Sequence, residues 1–289
     1  MTDAATTAAA RERRKAWFLV GPTLLWTLAF FVVPFAVMAV VSLWRREGNA
    51  LVKSWSLDNY QAFFARSHFL EGLFNSLEIT LTVTAISVLL AYPLAWIIAE
   101  QVPRRWQRLA LVLAVLPFWT SYVVRSYAWL LLLNRNGVIN QSLMALGLID
   151  APLELSATRT ATVLGFVHFF VMLLTLTIYA NLVQLPANYR KAAADLGANG
   201  LQTFVHVILP LTVPGIMVGA FLTFVLCIGD YITPQILGGN NELVLPQIIM
   251  LQIGRRADFP TASALSIILM LVVTAAYFAC ARWLKLERA

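Results

Sequence analysis

Six stretches of the chain, near 17–43, 75–99, 109–131, 162–185, 211–234 and 262–283, are almost continuously apolar, and polar stretches separate them. Each reaches the roughly 20 residues that a helix needs to cross the hydrocarbon core of a bilayer. The pattern predicts an all-α polytopic membrane protein with six transmembrane helices. Prolines at 22, 34, 93, 117 and 214 fall inside or at the edges of these stretches. Neighbouring helices and polar side chains can satisfy the carbonyls that prolines free, so kinked spans are expected. The first stretch follows Arg11, Arg13, Arg14 and Lys15 as the core of a signal peptide would. Its apolar run from Ala16 to Leu43 exceeds the roughly 7 to 15 residues of a cleavable core, and it reads as a retained span. The connectors 44–74, 132–161 and 235–261 are too short for independent domains. Residues 1–15 therefore read as an N-terminal segment and 16–289 as one transmembrane domain. In the second connector, GVINQSLMALGLI spaces its apolar residues as a helix does; a surface helix and an ordered loop both remain open.

Composition agrees: at 60% hydrophobic and 12% charged, with mean hydropathy +0.76, the chain is built for a bilayer. A net charge of +7 would suggest nucleic acid in a soluble protein, but here the cations flank apolar segments. Counting connectors alternately, Arg11, Arg13, Arg14, Lys15, Arg104, Arg105, Arg108, Arg190, Lys191, Arg282, Lys285 and Arg288 lie on one side. Arg45, Arg46, Lys53, Arg66, Arg135, Arg159, Arg255 and Arg256 lie on the other, with the acids Glu47, Asp58, Glu71, Asp150, Glu154, Glu242 and Asp258. The positive-inside rule then predicts both termini in the cytoplasm. Cys227 and Cys280 fall at opposite membrane depths, which argues against a disulfide or a metal site.

The stretch KAAADLGANGLQTFVHVILP, residues 191–210, breaks the apolar pattern. Asn188 is expected to cap a short helix from Tyr189 through Ala192, Ala193 and Ala194, and Gly197 to end it in a left-handed conformation. Asn199 with Gln202 forms an amide version of a capping box for a second helix, in which Phe204, Val207 and Ile208 share a face before Pro210 interrupts it. This predicts a helix-turn-helix knuckle whose alanines let another protein's backbone approach closely.

Ala192, Ala193, Asp195, Leu196, Gly197 and Ala198, followed by Ile208, Leu209 and Pro210, resemble the EAA loop of ABC-importer permeases. The resemblance implies a type I importer permease fold, with residues 188–210 as a cytoplasmic coupling loop seated in a cleft of an ATPase. Coupling would then fall to Lys191, Ala192, Ala193, Asp195, Gly197, Ala198, Leu209 and Pro210. The family's leading glutamate is Lys191 here, so the acid's usual pairing passes to Asp195 or to an altered partner surface. LPFWTSYVVRSYAWLLLLNRNGVIN, 116–140, and GDYITPQILGG, 229–239, are similar to spermidine/putrescine-type permease subunits. Relatives of that type also move other amines, opines or ferric iron. The resemblance further implies two ATPase subunits that use ATP and Mg, a second permease subunit, and an extracytoplasmic substrate-binding protein. The chain itself would bind no cofactor, and it would reside among lipids of a bacterial cytoplasmic membrane.

For a cationic cargo, Asp230 and Tyr231 at the end of the fifth segment and Glu78 at the start of the second are the candidate contacts. Trp119, Tyr122 and Trp129 would add aromatic faces for cation–π contact. Solvated acids and an ordinary aromatic belt are the plainer alternative. Arg125 is expected to snorkel or cap carbonyls, and His168 to hydrogen-bond to a neighbouring helix. His68 falls in a loop and His206 in the knuckle, neither near a nucleophile. No GxxxxGK[ST], HExxH or GxSxG occurs, so the chain must borrow its energy and is not an enzyme of those types. An ion-coupled secondary transporter would show inverted repeats and buried midplane acids, and an intramembrane hydrolase a catalytic pair at one depth. Neither pattern is present in the sequence.

Overall fold

The computed structural model describes residues 16–48, 50–239 and 242–284. Segment 1–15, Lys285, Arg288 and the side chain of Arg282 lie outside the described residues. Helix α1 (Ala16–Val41) leads through a hairpin, β1 (Arg45–Glu47) and β2 (Ala50–Val52), to α2 (Asp58–Ala65) and the long α3 (Ser67–Gln101). Helices α4 (Arg104–Val115), α5 (Tyr122–Leu133) and α6 (Val138–Ala145) follow, then α7 (Arg159–Gln184) and the short α8 (Asn188–Asp195). The chain ends with α9 (Gly200–Ile228), α10 (Ile232–Leu237), α11 (Leu245–Gly254) and α12 (Phe259–Leu284).

Among the described residues, α1, α3, α7, α9 and α12 are long and apolar enough to cross a membrane. The crossing expected at 109–131 is not one helix: Arg104–Trp119 and Tyr122–Ala145 meet at 86°. The cause is local. Pro117 removes a donor, the chain tightens into a 3₁₀ turn over Leu116–Trp119, and Thr120 and Ser121 are extended (ψ 147° and 132°). Two other boundaries also shift. Span two begins at Ser67 rather than 75, and span five at 200 rather than 211, because the helical ladder continues past the apolar residues that mark a span. The sequence GVINQSLMALGLI does form a helix, α6, fixed through buried Asn140, which bonds both N–H and carbonyl of Leu153 at 2.9 Å.

The remaining prolines within the spans do not end the ladder. Two of them, Pro34 and Pro210, each follow a π-helical turn, Leu28–Val32 and Phe204–Ile208. A proline ring collides with the carbonyl four residues back, Phe30 or His206, and that carbonyl sits in the widened turn. Pro210 therefore does not interrupt the knuckle's second helix, which runs on into α9.

The core lies where α3, α7 and α9 meet. Ile79, Val83, Phe166, Phe170 and Cys227 fill its middle, and Ala91, Ala95, Leu174, Ile178, Leu182 and Ile208 fill the end beside the knuckle. Both cysteines are free. Helices α7 and α9 approach through Gly215 and Gly219: a Cβ on Gly215 would lie 2.2 Å from the Asn181 amide, and one on Gly219 2.8 Å from Leu174. Gly215→Val should therefore lower thermal stability in detergent by about 1–3 kcal/mol through overpacking. Gly21→Val in α1, where a Cβ meets nothing within 4 Å, is the matched control and should melt near the parent.

Candidate docking knuckle and translocation site

Helix α8 starts one residue earlier than expected. Its N-cap position is Ala187, which makes no side-chain cap bond, and Asn188 is already helical. Pro186 presets the first turn, its carbonyl accepting from Tyr189 N at 3.3 Å, so the Asn188 side chain is not needed as a cap. The C-terminal end follows the sequence expectation. Gly197 is left-handed at φ +80°, and a Schellman pair closes the helix: Gly197 N donates to Ala194 O at 2.9 Å, Ala198 N to Ala193 O at 3.0 Å. Asn199 and Gln202 form the reciprocal capping box, at 2.8 and 2.9 Å.

Lys191, Ala192, Asp195 and Gly197 are exposed and Ala198 is half-buried. Ala193, by contrast, is 6% exposed and packs inward, so it seats the knuckle rather than lining its outer face. Leu209 and Pro210 lie in α9, beyond the tip. Two residues that the small-residue pattern overlooks protrude from the tip, Leu196 at 89% and Leu201 at 73% exposed. The surface is thus a shallow alanine and glycine floor between two leucine knobs. Large apolar side chains standing in solvent between polar neighbours were the available sequence signal.

At the base of the knuckle, Arg190 makes a two-pronged ion pair with Glu100 at the end of α3, and its guanidinium lies 5.6 Å from the Trp96 ring centroid. Phe204 packs edge-on against Trp96 and Tyr92, with centroids 5.0 and 5.8 Å away. Tyr92 Oη is 3.2 Å from Thr212 Oγ1 of α9.

Toward the opposite end, the structure brings Asp230 and Tyr122 together. The Tyr122 hydroxyl donates to Asp230 and also contacts Thr233 Oγ1. Asp230 Oδ1 accepts from Ile232 N at 2.8 Å, and Oδ2 from Thr233 N at 3.3 Å, so the carboxylate also opens α10. A space of about 10 Å³ adjoins it, bounded by Ser76, Thr80, Cys227 and Val244. That volume suits one water at most, and Asp230 itself is partly exposed beside it. Glu78 belongs to a different set: Arg159 Nη2 is 2.8 Å from its carboxylate, and Arg159 Nε is 3.9 Å from Glu242. Tyr231 is partly exposed at 36%, and Trp119, in the span-three break, stands out at 85%. Trp129 is turned to α7, where its Nε1 donates to His168 Nδ1 at 2.9 Å.

Arg125 caps the broken span. It is 7% exposed, and its Nη2 donates to the carbonyls of Pro117, Thr120 and Phe118 at 2.7, 3.0 and 3.3 Å, while the guanidinium lies 5.3 Å from the Phe169 ring centroid.

The architecture is that of a multi-pass helical membrane protein with an exposed helix-turn-helix at one end. The family model described as "Binding-protein-dependent transport system inner membrane component" matches residues 5–286. The spermidine/putrescine transport system permease protein PotB of Escherichia coli is 32% identical over 249 residues, 86% of this chain and 90% of that protein. PotB of Haemophilus influenzae is 31% identical over 257 residues, covering 88% and 89%. In fold, a chain of a bacterial alginate ABC transporter superposes with a TM-score of 0.75 at 17% identity, covering 95% of this chain and 98% of that one. The chain belongs to the family of binding-protein-dependent transport system inner membrane components. It is a permease subunit of an ABC importer, a multi-pass inner-membrane protein and a transport component rather than an enzyme.

Arg125→Gln should destabilise the subunit by about 1.5–3 kcal/mol, the range for a hydrogen bond to a charged group. Thermal unfolding in detergent checks this, with Arg125→Lys, which keeps a cationic donor, expected between the two.

Proposed function

We propose that the chain forms half of a polyamine path across the cytoplasmic membrane, with spermidine or putrescine as cargo. The reading rests on one observation above the rest: the exposed floor of Ala192 and Gly197, held by caps at both sides and anchored to the core, is shaped to receive another protein. The names and identity of the PotB relatives favour a polyamine over other amines, opines or ferric iron. Two ATPase subunits dock at the knuckles of this permease and of a second one, a homologue or another copy. A substrate-binding protein delivers cargo at the opposite face. This arrangement places both termini in the cytoplasm, as the cation distribution favours.

ATP-driven closure of the ATPases brings the knuckles together and opens the end around Asp230, which is alternating access. Asp230, with Tyr122 and Tyr231, then offers charge and aromatic faces to an ammonium group. Trp119 and Trp129 widen the aromatic lining. Glu78 contributes only if cargo displaces Arg159. At the knuckle, Lys191 turns the usual acidic contact into a cationic one, leaving Asp195 as the acid that meets the ATPase.

Asp230→Asn removes the charge at nearly constant volume, and its single amide oxygen can still accept the Ile232 N–H bond that Oδ1 takes. Uptake of labelled spermidine by the reconstituted complex should fall about tenfold, the loss of about 1.4 kcal/mol of charge-assisted binding. Uptake at the parent rate rules Asp230 out of the path. Gly197→Trp should leave ATP hydrolysis but abolish most import by filling the docking floor. Gly197→Asn tolerates the positive φ and should retain import, separating bulk from backbone strain.

A further inference from the structure

We propose that Glu100 and Arg190 form the clamp through which knuckle movement reaches α3, making Glu100 a positioning residue for coupling. The inference deepens the permease reading by naming the route that force takes, and it rests on that reading.

The knuckle is joined covalently to α7 and α9 but not to α3. Helix α3 nonetheless carries the contacts that close the far end. Its Ser76 Oγ accepts from Leu245 N at 2.8 Å, and Asn75 Nδ2 donates to Leu243 O at 3.3 Å, both in the segment leading into α11. Gly72 lies so close to α11 that a Cβ there would sit 2.4 Å from Ile248 Cδ1. Ser76 and Thr80 also bound the space beside Asp230. Helix α3 is 35 residues long, about 50 Å end to end, and it touches both places that alternating access must link. Glu100 sits in the π-helical last turn of α3, Ile97–Gln101, from which an unbroken helix runs to the far end, so what seizes that turn can act there.

The only ion pair between α8 and α3 among the described residues is Glu100 with Arg190. Its two-pronged geometry fixes direction as well as distance, which a single apolar contact does not. The Arg190 guanidinium over Trp96, and Phe204 edge-on against the same ring, grip the last turns of α3 between both helices of the knuckle. The pair also borders an open cleft of about 630 Å³ lined by Gln101, Arg104, Gln107 and Leu185, with side-chain exposures of 35% for Arg190 and 22% for Glu100.

The test uses the whole reconstituted importer, with substrate-binding protein and ATPase subunits, and reads ATPase recovery, ATP hydrolysis and labelled spermidine uptake. Glu100→Gln should keep the bound ATPase and hydrolyse ATP within about twofold of the parent, while uptake per ATP falls about tenfold, inside the usual range of coupling strengths. Glu100→Arg should behave the same or worse, and Glu100→Arg with Arg190→Glu should recover uptake per ATP. Unchanged uptake per ATP in Glu100→Gln overturns the clamp. So does an exchanged pair that assembles and hydrolyses ATP yet stays uncoupled. If the exchanged pair does not assemble, Arg190→Gln with Glu100→Gln decides: a double loss no greater than either single loss supports the clamp, and additive losses overturn it. A parent chain that recovers no ATPase at all would instead defeat the permease reading.

Discussion

A bilayer offers no hydrogen bonds, so every backbone N–H and carbonyl at membrane depth must find its partner inside the protein. That constraint explains the irregular parts of this molecule better than it explains the regular ones. Where prolines 34 and 210 remove a donor, the chain winds into a π turn and continues. Where Pro117 does so, the helix breaks, and the buried Arg125 closes the exposed carbonyls from the next helix. The Nη2 group alone serves those oxygens, and its charge strengthens each bond beyond what a neutral amide would give.

Helix count and knuckle chemistry were legible in the sequence because both depend on local rules. Hydropathy over about 20 residues finds a span whatever it packs against, and Gly197, Asn199 and Gln202 act on residues within four positions of themselves. Span three was misread as a kinked continuous helix. Its 86° turn is made by the 3₁₀ turn at Pro117 and the extended Thr120 and Ser121, and Arg125 reaches back to the carbonyls left there, a local geometry that apolar periodicity does not encode. The expected Asn188 cap failed for a related reason, since Pro186 had already set the turn. Candidate substrate contacts were legible as residue types but not as partners. Asp230 and Tyr122 stand 108 positions apart in the chain, and the pairings of Glu78 with Arg159 and Glu100 with Arg190 span 81 and 90.

Charge in this subunit is concentrated at two levels. Around the knuckle, Arg190 and Glu100 join α8 to α3; toward the opposite end, Arg159 gathers Glu78 and Glu242, and Asp230 is held by Tyr122 and the α10 amides. Between them the packed middle of α3, α7 and α9 holds no Asp, Glu, Lys or Arg, and of its polar groups Thr175, Thr177 and Asn181 bond back to their own helix. An apolar, glycine-packed middle carries no charge that motion would have to desolvate. It can therefore shift as a block while the polar ends change partners.

Helix α1 stands apart from this block. None of its residues is buried within the subunit, although all 26 are part of a continuous helix. At about 39 Å it is longer than a hydrocarbon core of about 30 Å. Within the subunit its second half, Val33–Val41, packs against α12, so a tilt that fits its length to the bilayer pivots on that contact. Its exposed apolar faces are left for lipid or for a neighbouring subunit to cover.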